Sequence, residues 1–213
     1  MNYLSIATPF VHEIEIKKSR FICYLFPIDS AETAQEQLAL LRKEHYKANH
    51  CCYAYILGQN ASVQKMSDDG EPSGTAGVPM LEVLKHRELT NLLAVVVRYF
   101  GGTKLGAGGL IRAYGQSVSE ALNLAPLIQN ISQMIGTLTL SYGQVDSFQY
   151  FLSQTALPIT VLETHYTEQV SFDLAIHLEF VDELTQTLTE RFNAQFVLEW
   201  LGEQTIDIPY QPI

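Results

Sequence analysis

Nine consecutive residues, Gly101-Gly102-Thr103-Lys104-Leu105-Gly106-Ala107-Gly108-Gly109, hold five glycines and follow an unbroken apolar stretch from Leu92 to Val97. Glycine has no Cβ, so its backbone reaches positive φ and lets a ligand come close. Apolar residues resume at Ile111, Tyr114, Val118 and Ala121, spaced by three and four, which predicts a helix starting near Gly108. A glycine turn between a buried strand and a helix presents the first helical N–H groups and the positive end of the helix dipole. Such a turn favours phosphate. Arg98, Lys104 and Arg112 bracket it with positive charge. The candidate phosphate- or nucleic-acid-binding set is Arg98, Gly101, Gly102, Thr103, Lys104, Gly106, Gly108, Gly109 and Arg112, with Lys17, Lys18 and Arg20 widening the footprint. The competing reading is that Gly108 and Gly109 only allow a helix to pack tightly on a strand. Neither familiar phosphate motif fits, because Lys104 precedes Gly106 and Ile111 stands where a dinucleotide loop needs its third glycine.

A second group is acidic. Asp68-Asp69-Gly70-Glu71 puts three carboxylates within four residues, enough to hold Mg²⁺ beside a phosphate if the loop folds toward the glycine turn. That reading implies an enzyme acting on a phosphorylated small molecule. Its competitor is a solvated turn, since Asp-Gly and Glu-Pro are ordinary turn sequences. His45, His50, Cys51 and Cys52 raise a third possibility, zinc. Adjacent cysteines on a strand point to opposite faces, so a structural zinc site is not expected. His50 and Cys52 share a strand face and could form a nucleophile pair, against the commoner reading of a buried inert thiol. No residue is assigned a catalytic role.

The elements that must carry these groups are read from periodicity. Alternation over residues 9–28 predicts a β-hairpin turning at Lys17-Lys18-Ser19-Arg20. Asp29 is the expected cap of a helix whose stripe is Ala34, Leu38 and Leu41. Cys51–Leu57 reads as a strand, and residues 58–77 as a structureless loop, long enough to suggest function. Pro79 suits the first turn of a short helix to about Arg87, and Leu92 to Val97 a central strand buried on both faces. Beyond Pro126 the pattern is strand 135–142, helix 144–156, strands 158–164 and 169–177, helix 179–192 and strand 195–201. That β-α-β-β-α-β order is the ferredoxin-like split motif.

Charge divides the chain at the same place. Residues 1–130 carry 12 basic and 12 acidic side chains, whereas residues 131–213 carry Arg191 and 11 acidic ones. The whole net charge of −10 therefore lies in the last 83 residues. The reading is an α+β protein of two domains, 1–130 with the glycine-rich anion loop and 131–213 acidic and ferredoxin-like. The acidic half repels phosphate and is read as non-binding for nucleic acid; it could instead contact a protein. The longest charge-free stretch, Ala121 to Val145, contains Pro126 and several amides and cannot span a membrane. The first 25 residues contain no apolar leader core, and three cysteines, two of them adjacent, make a poor disulfide framework. A cytoplasmic protein is expected.

Ser67-Asp68-Asp69-Gly70-Glu71-Pro72 with Gly74-Thr75-Ala76-Gly77, followed by Val97-Arg98-Tyr99-Phe100-Gly101-Gly102-Thr103-Lys104-Leu105-Gly106, resembles the IMPACT family in its bacterial YigZ branch. Lys18-Ser19-Arg20-Phe21 and the His50–Tyr55 strand are similar too. The resemblance implies an N-terminal α/β fold like the second domain of a ribosomal small-subunit protein, with a left-handed βαβ connection. It implies a C-terminal domain like the last domain of elongation factor G. It also implies an association with translation, since eukaryotic members act in translational control. An RNA- or ribosome-associated factor is thus the leading expectation, with the Mg²⁺-dependent enzyme and a plain protein-interaction module as alternatives.

Overall fold

The structure, a computed structural model, describes residues 3–210. Among these, residues 3–130 and 207–210 form one compact unit and Ile131–Ile206 a second.

The first unit contains β1 (Tyr3–Ile6), β2 (Phe10–Ile16), β3 (Ser19–Pro27), α1 (Ala31–Glu44), β4 (His50–Leu57), β5 (Val63–Ser67), α2 (Gly77–His86), β6 (Leu92–Tyr99) and α3 (Ala107–Leu124). Its antiparallel sheet has the order β2-β3-β6-β4-β5, so the apolar run of β6 lies at the centre, as its composition demands. β3 and β4 both run antiparallel to β6, hence parallel to each other, and α1 connects them. The pleat sorts side chains by parity. Leu93, Val95 and Val97 pack with Cys51, Tyr53 and Tyr55 under Ala34, Leu38 and Leu41 of α1. Leu92, Ala94 and Val96 pack with Phe21, Cys23 and Cys52 against Met80 and Leu84 of α2 and Tyr114 and Val118 of α3.

Several local expectations change. The hairpin turn is only Lys17-Lys18, both at positive φ (47° and 65°), with Ser19 and Arg20 already paired in β3. Ser30, not Asp29, caps α1: its hydroxyl accepts from the Thr33 N–H at 3.2 Å, while Asp29 accepts from the Thr33 hydroxyl. The supposed loop 58–77 contains β5, whose residues Val63 to Met66 are all exposed. Neither face of that edge strand is buried, so it leaves no alternating signature. α2 begins at Gly77 and ends at His86, so Pro79 lies in its first turn as expected. On α3 the buried first-turn residue is Leu110, whereas Ile111 is 44% exposed.

The second unit comprises β7 (Leu127–Leu140) from Ile131 onward, α4 (Tyr142–Gln154), β8 (Ile159–Tyr166), β9 (Val170–Ile176), a 3-10 turn at Leu178–Phe180, α5 (Val181–Phe192) and β10 (Val197–Pro209) up to Ile206. The order β10-β7-β9-β8, antiparallel at β7–β9 and β9–β8, is the ferredoxin-like split motif. Leu138, Leu140, Phe172 and Leu174 from the sheet pack with Phe148, Leu184 and Leu188 from the helices. Ser141 and Gln144 form a capping box at the start of α4.

The start of β7 pairs with β1 in the first unit. The end of the described chain returns there too: Asn130 Nδ2 donates to Asp207 Oδ1 at 2.6 Å and the Tyr210 N–H to the Leu127 carbonyl at 3.0 Å. The sequence division had left these last residues in the acidic half. No helix among the described residues is long and apolar enough to cross a membrane.

Candidate functional site

The acidic loop after β5 folds inward, and each carboxylate has its own donors. Asp68 accepts from the amides of Gly74 (2.9 Å), Ala76 (3.0 Å) and Gly77 (2.8 Å), and so caps α2 from outside the helix. Burial works against its charge, yet the three amides hold its carboxyl below the ordinary aspartate range. Asp69 accepts from the Cys51 N–H at 2.7 Å and from Arg42 at 2.9 Å. Its carbonyl accepts from Nδ1 of His50 at 2.9 Å, which fixes the proton on that nitrogen. Glu71, only 9% exposed, accepts from Arg98 at 2.5 Å and from the Tyr114 hydroxyl at 2.9 Å. The three carboxylates do not converge, so in place of the Mg²⁺ site raised as an alternative for Asp68, Asp69 and Glu71 the loop forms an internal latch across β4, β6 and α3. Nor is the segment a solvated turn.

The histidines and cysteines are equally committed. His45 sits between two hydroxyls, Tyr24 at 2.7 Å and Tyr99 at 2.8 Å. Cys51 and Cys52 lie on opposite faces of β4 in different cores. The Cys52 thiol donates to the Asp68 carbonyl at 3.0 Å and lies 3.4 Å from the Tyr114 hydroxyl. Burial, reinforced by the charge of Asp69, pushes the Cys51 thiol up to about 11, and burial raises Cys52 and Cys23 further. Thiols held protonated in this way are poor nucleophiles at neutral pH, and Cys51 and Cys52, facing different cores, do not converge on one zinc ion.

Arg98 requires the main correction to the candidate set. It is 5% exposed, and its guanidinium lies 5.3 Å from the Phe21 ring and 5.6 Å from the Phe100 ring, facing Glu71. It braces the interior and does not extend to a ligand outside. Arg20 is also engaged, in a two-pronged bond to Glu13 (2.7 and 2.8 Å) beside the Tyr99 ring.

The glycine turn itself is open. Its entrance is fastened: Asn49 Oδ1 accepts the Phe100 N–H at 2.8 Å and Ser19 Oγ the Gly101 N–H at 3.1 Å. A Cβ on Gly101 would lie 2.0 Å from the carbonyl carbon and oxygen of Lys18, so only glycine fits, and the Lys17-Lys18 turn is seated on the loop. From Gly102 to Gly109, the amides have no hydrogen-bond partner among the described residues. Gly106 caps α3 at φ 73° and supplies no side-chain acceptor. Gly109 packs against Leu105, where a Cβ would come within 2.9 Å, but the space around Gly108 is empty. Thr103, Lys104 and Arg112 are exposed, and neither cation forms an ion pair among the described residues. The open set is therefore the eight amides of residues 102–109 with Lys104, Arg112, Lys17 and Lys18. Sequence reasoning missed Ser19, Asn49 and Tyr114. Tyr114 was read as part of an apolar stripe, and nothing local marks its hydroxyl as a partner of Glu71.

The profile of the Impact N-terminal domain matches residues 17–122, which contain the Lys17-Lys18 turn, the acidic latch and the glycine turn. A domain of unknown function, DUF1949, matches residues 138–195 in the second unit. A Bacillus subtilis (strain 168) protein, IMPACT family member YvyE, is 43% identical over 194 residues, covering 91% of this chain and 88% of that protein. The chain belongs to the IMPACT family. Another member, YigZ of Escherichia coli (strain K12), is 41% identical over 155 residues, 72% of this chain and 76% of that one. A crystal structure of a hypothetical protein aligns over 95% of this IMPACT chain and 98% of its own, at 34% identity and a TM-score of 0.59.

Proposed function

We propose that this IMPACT family protein is a cytoplasmic RNA- or ribosome-associated factor in translational regulation, and that residues 102–109 receive backbone phosphate. The observation that carries the reading is the run of amides without internal acceptors at the start of α3, beside Lys104, Arg112 and the Lys17-Lys18 turn. Amides at a helix start, with the dipole behind them, stabilise a phosphate without side-chain ligands. The four free cations add the long-range attraction that single-stranded or duplex RNA exerts on basic surfaces. Their number is small and the second half of the chain is strongly acidic, so binding is weak and salt-sensitive. The free, buried cysteines accord with a reducing compartment.

The test is fluorescence anisotropy of a labelled single-stranded RNA with the full chain at about 50 and 200 mM salt. Affinity falls as salt rises, with a slope near −0.7 per phosphate contact. The double variant Lys104→Glu, Arg112→Glu lowers affinity at least about tenfold and flattens that slope. Arg20→Gln, which removes an already paired charge, changes little. Absence of salt-dependent binding by the wild-type chain rejects the reading.

A further inference from the structure

On the second unit's sheet, far from the glycine turn in sequence, Glu163 and His165 of β8 and Asp173 of β9 bring one imidazole nitrogen and two carboxylate oxygens within 4.8 Å of one another. The strand register produces this. Glu163 stands across from Asp173 and His165 across from Ser171, and residues two apart on a strand share a face. A bulge between Val161 and Glu163 sets the alignment. Had the register run on unbroken, with Leu162 across from Asp173, Glu163 would stand across from Phe172, on the face that packs into the core. His165 Nε2 lies 3.1 Å from Asp173 Oδ2 and 3.8 Å from Glu163 Oε2. The Thr137 hydroxyl of β7 donates to the other Asp173 oxygen at 2.8 Å, which turns Oδ2 toward the imidazole.

The electrostatics of the face are one-sided. Among the described residues neither carboxylate has a lysine or arginine partner. The sole basic residue of 131–206, Arg191, is bonded to Ser147 and lies over the Phe151 ring. Two uncompensated carboxylates beside one half-exposed imidazole attract a cation, and the donor set selects its kind. We propose that Glu163, His165 and Asp173 bind a divalent transition metal of the zinc class. Imidazole nitrogen suits zinc, cobalt and nickel, whereas magnesium and calcium take oxygen alone. Four-coordinate metals with bonds near 2.0–2.1 Å separate their ligand atoms by about 3.3 Å. The 3.1 and 3.8 Å spacings meet this by side-chain rotation alone. The metal replaces the proton between Nε2 and Asp173, which leaves to solvent. Three protein ligands leave a position for water or an external group. Thr137 acts as the outer partner that orients one ligand.

The experiment titrates the untagged, chelator-treated full chain with Co²⁺, read by visible absorption, and with Zn²⁺, read by calorimetry. One equivalent binds, with the absorption of an imidazole- and carboxylate-ligated ion. His165→Ala and Asp173→Asn each weaken binding at least about tenfold, and Thr137→Val weakens it less. His177→Ala, which removes a histidine 3.6 Å from Glu179, leaves the site unchanged. Glu163 and His165 are exposed, so circular dichroism of His165→Ala matches the wild type. Binding that His165→Ala leaves intact, or no binding by the wild-type chain, overturns the proposal.

Discussion

Arg98 and Glu71 meet 2.5 Å apart with side chains only 6% and 4% exposed, so a full positive and a full negative charge face each other inside the first unit. Tyr114 donates to the same carboxylate oxygen, and Ser19 lies near the guanidinium while also accepting from Gly101. The latch and the entrance of the glycine turn are therefore one hydrogen-bonded structure.

Breaking this pair from one side strands a buried charge. Arg98→Met costs about 3–5 kcal/mol of stability, measured by urea unfolding at neutral pH. The double variant Arg98→Met, Glu71→Leu recovers a large part of that loss, because no charge is left unpaired. A double variant no more stable than Arg98→Met alone contradicts this account.

Two adjacent glycines separate sterics from backbone preference. Gly101→Ala forces a methyl to within 2.0 Å of the Lys18 carbonyl and costs about 3 kcal/mol, the upper end for overpacking. Gly102→Ala meets nothing within 4 Å and suffers only from φ 84°, about 1–2 kcal/mol. Equal losses in thermal or urea unfolding are incompatible with the close approach at Gly101.

The Asp68 carboxyl gives acid sensitivity with a definite sign. Its folded-state pKa is lowered, so its contribution is complete above the unfolded aspartate value near 3.9 and disappears as pH falls through the folded value. Asp68→Asn is therefore less stable than the wild type by about 1–3 kcal/mol at pH 7. The gap begins to narrow below about pH 4 and closes only as pH falls past the lowered folded value. Urea midpoints of both proteins at pH 7 and at steps down through the acid range decide it.

All three thiols are buried, and Cys51, with the lowest thiol pKa of the three, is still pushed to about 11. Native protein at pH 8 reacts negligibly with a disulfide reagent over minutes, and three thiols appear on adding urea. Prompt labelling of one cysteine in the native chain shows that a face of β4 opens.

What the sequence disclosed follows from how each element is buried. β6 was legible as an unbroken apolar run, and the second unit's βαββαβ order from regular apolar periods. β5 was not, since its residues from Val63 to Met66 contact solvent on both faces and carry no period. The glycine turn was legible from composition, but the fate of its neighbours was not. Arg98 and Lys104 look alike in a sequence, and only the inward fold of Glu71, 27 residues away, assigns one to the interior. Asp68 likewise looks like turn residue chemistry, while its work is to cap a helix nine residues on.

The bonds from Asp207 and Tyr210 to Asn130 and Leu127 make the second unit an insertion in the chain of the first. Cutting the gene after Asn130 would strip a side-chain partner from Asn130 and an amide from the Leu127 carbonyl. A sound dissection deletes Ile131–Ile206 internally and bridges the two cut ends with a short linker, keeping the returning segment in place.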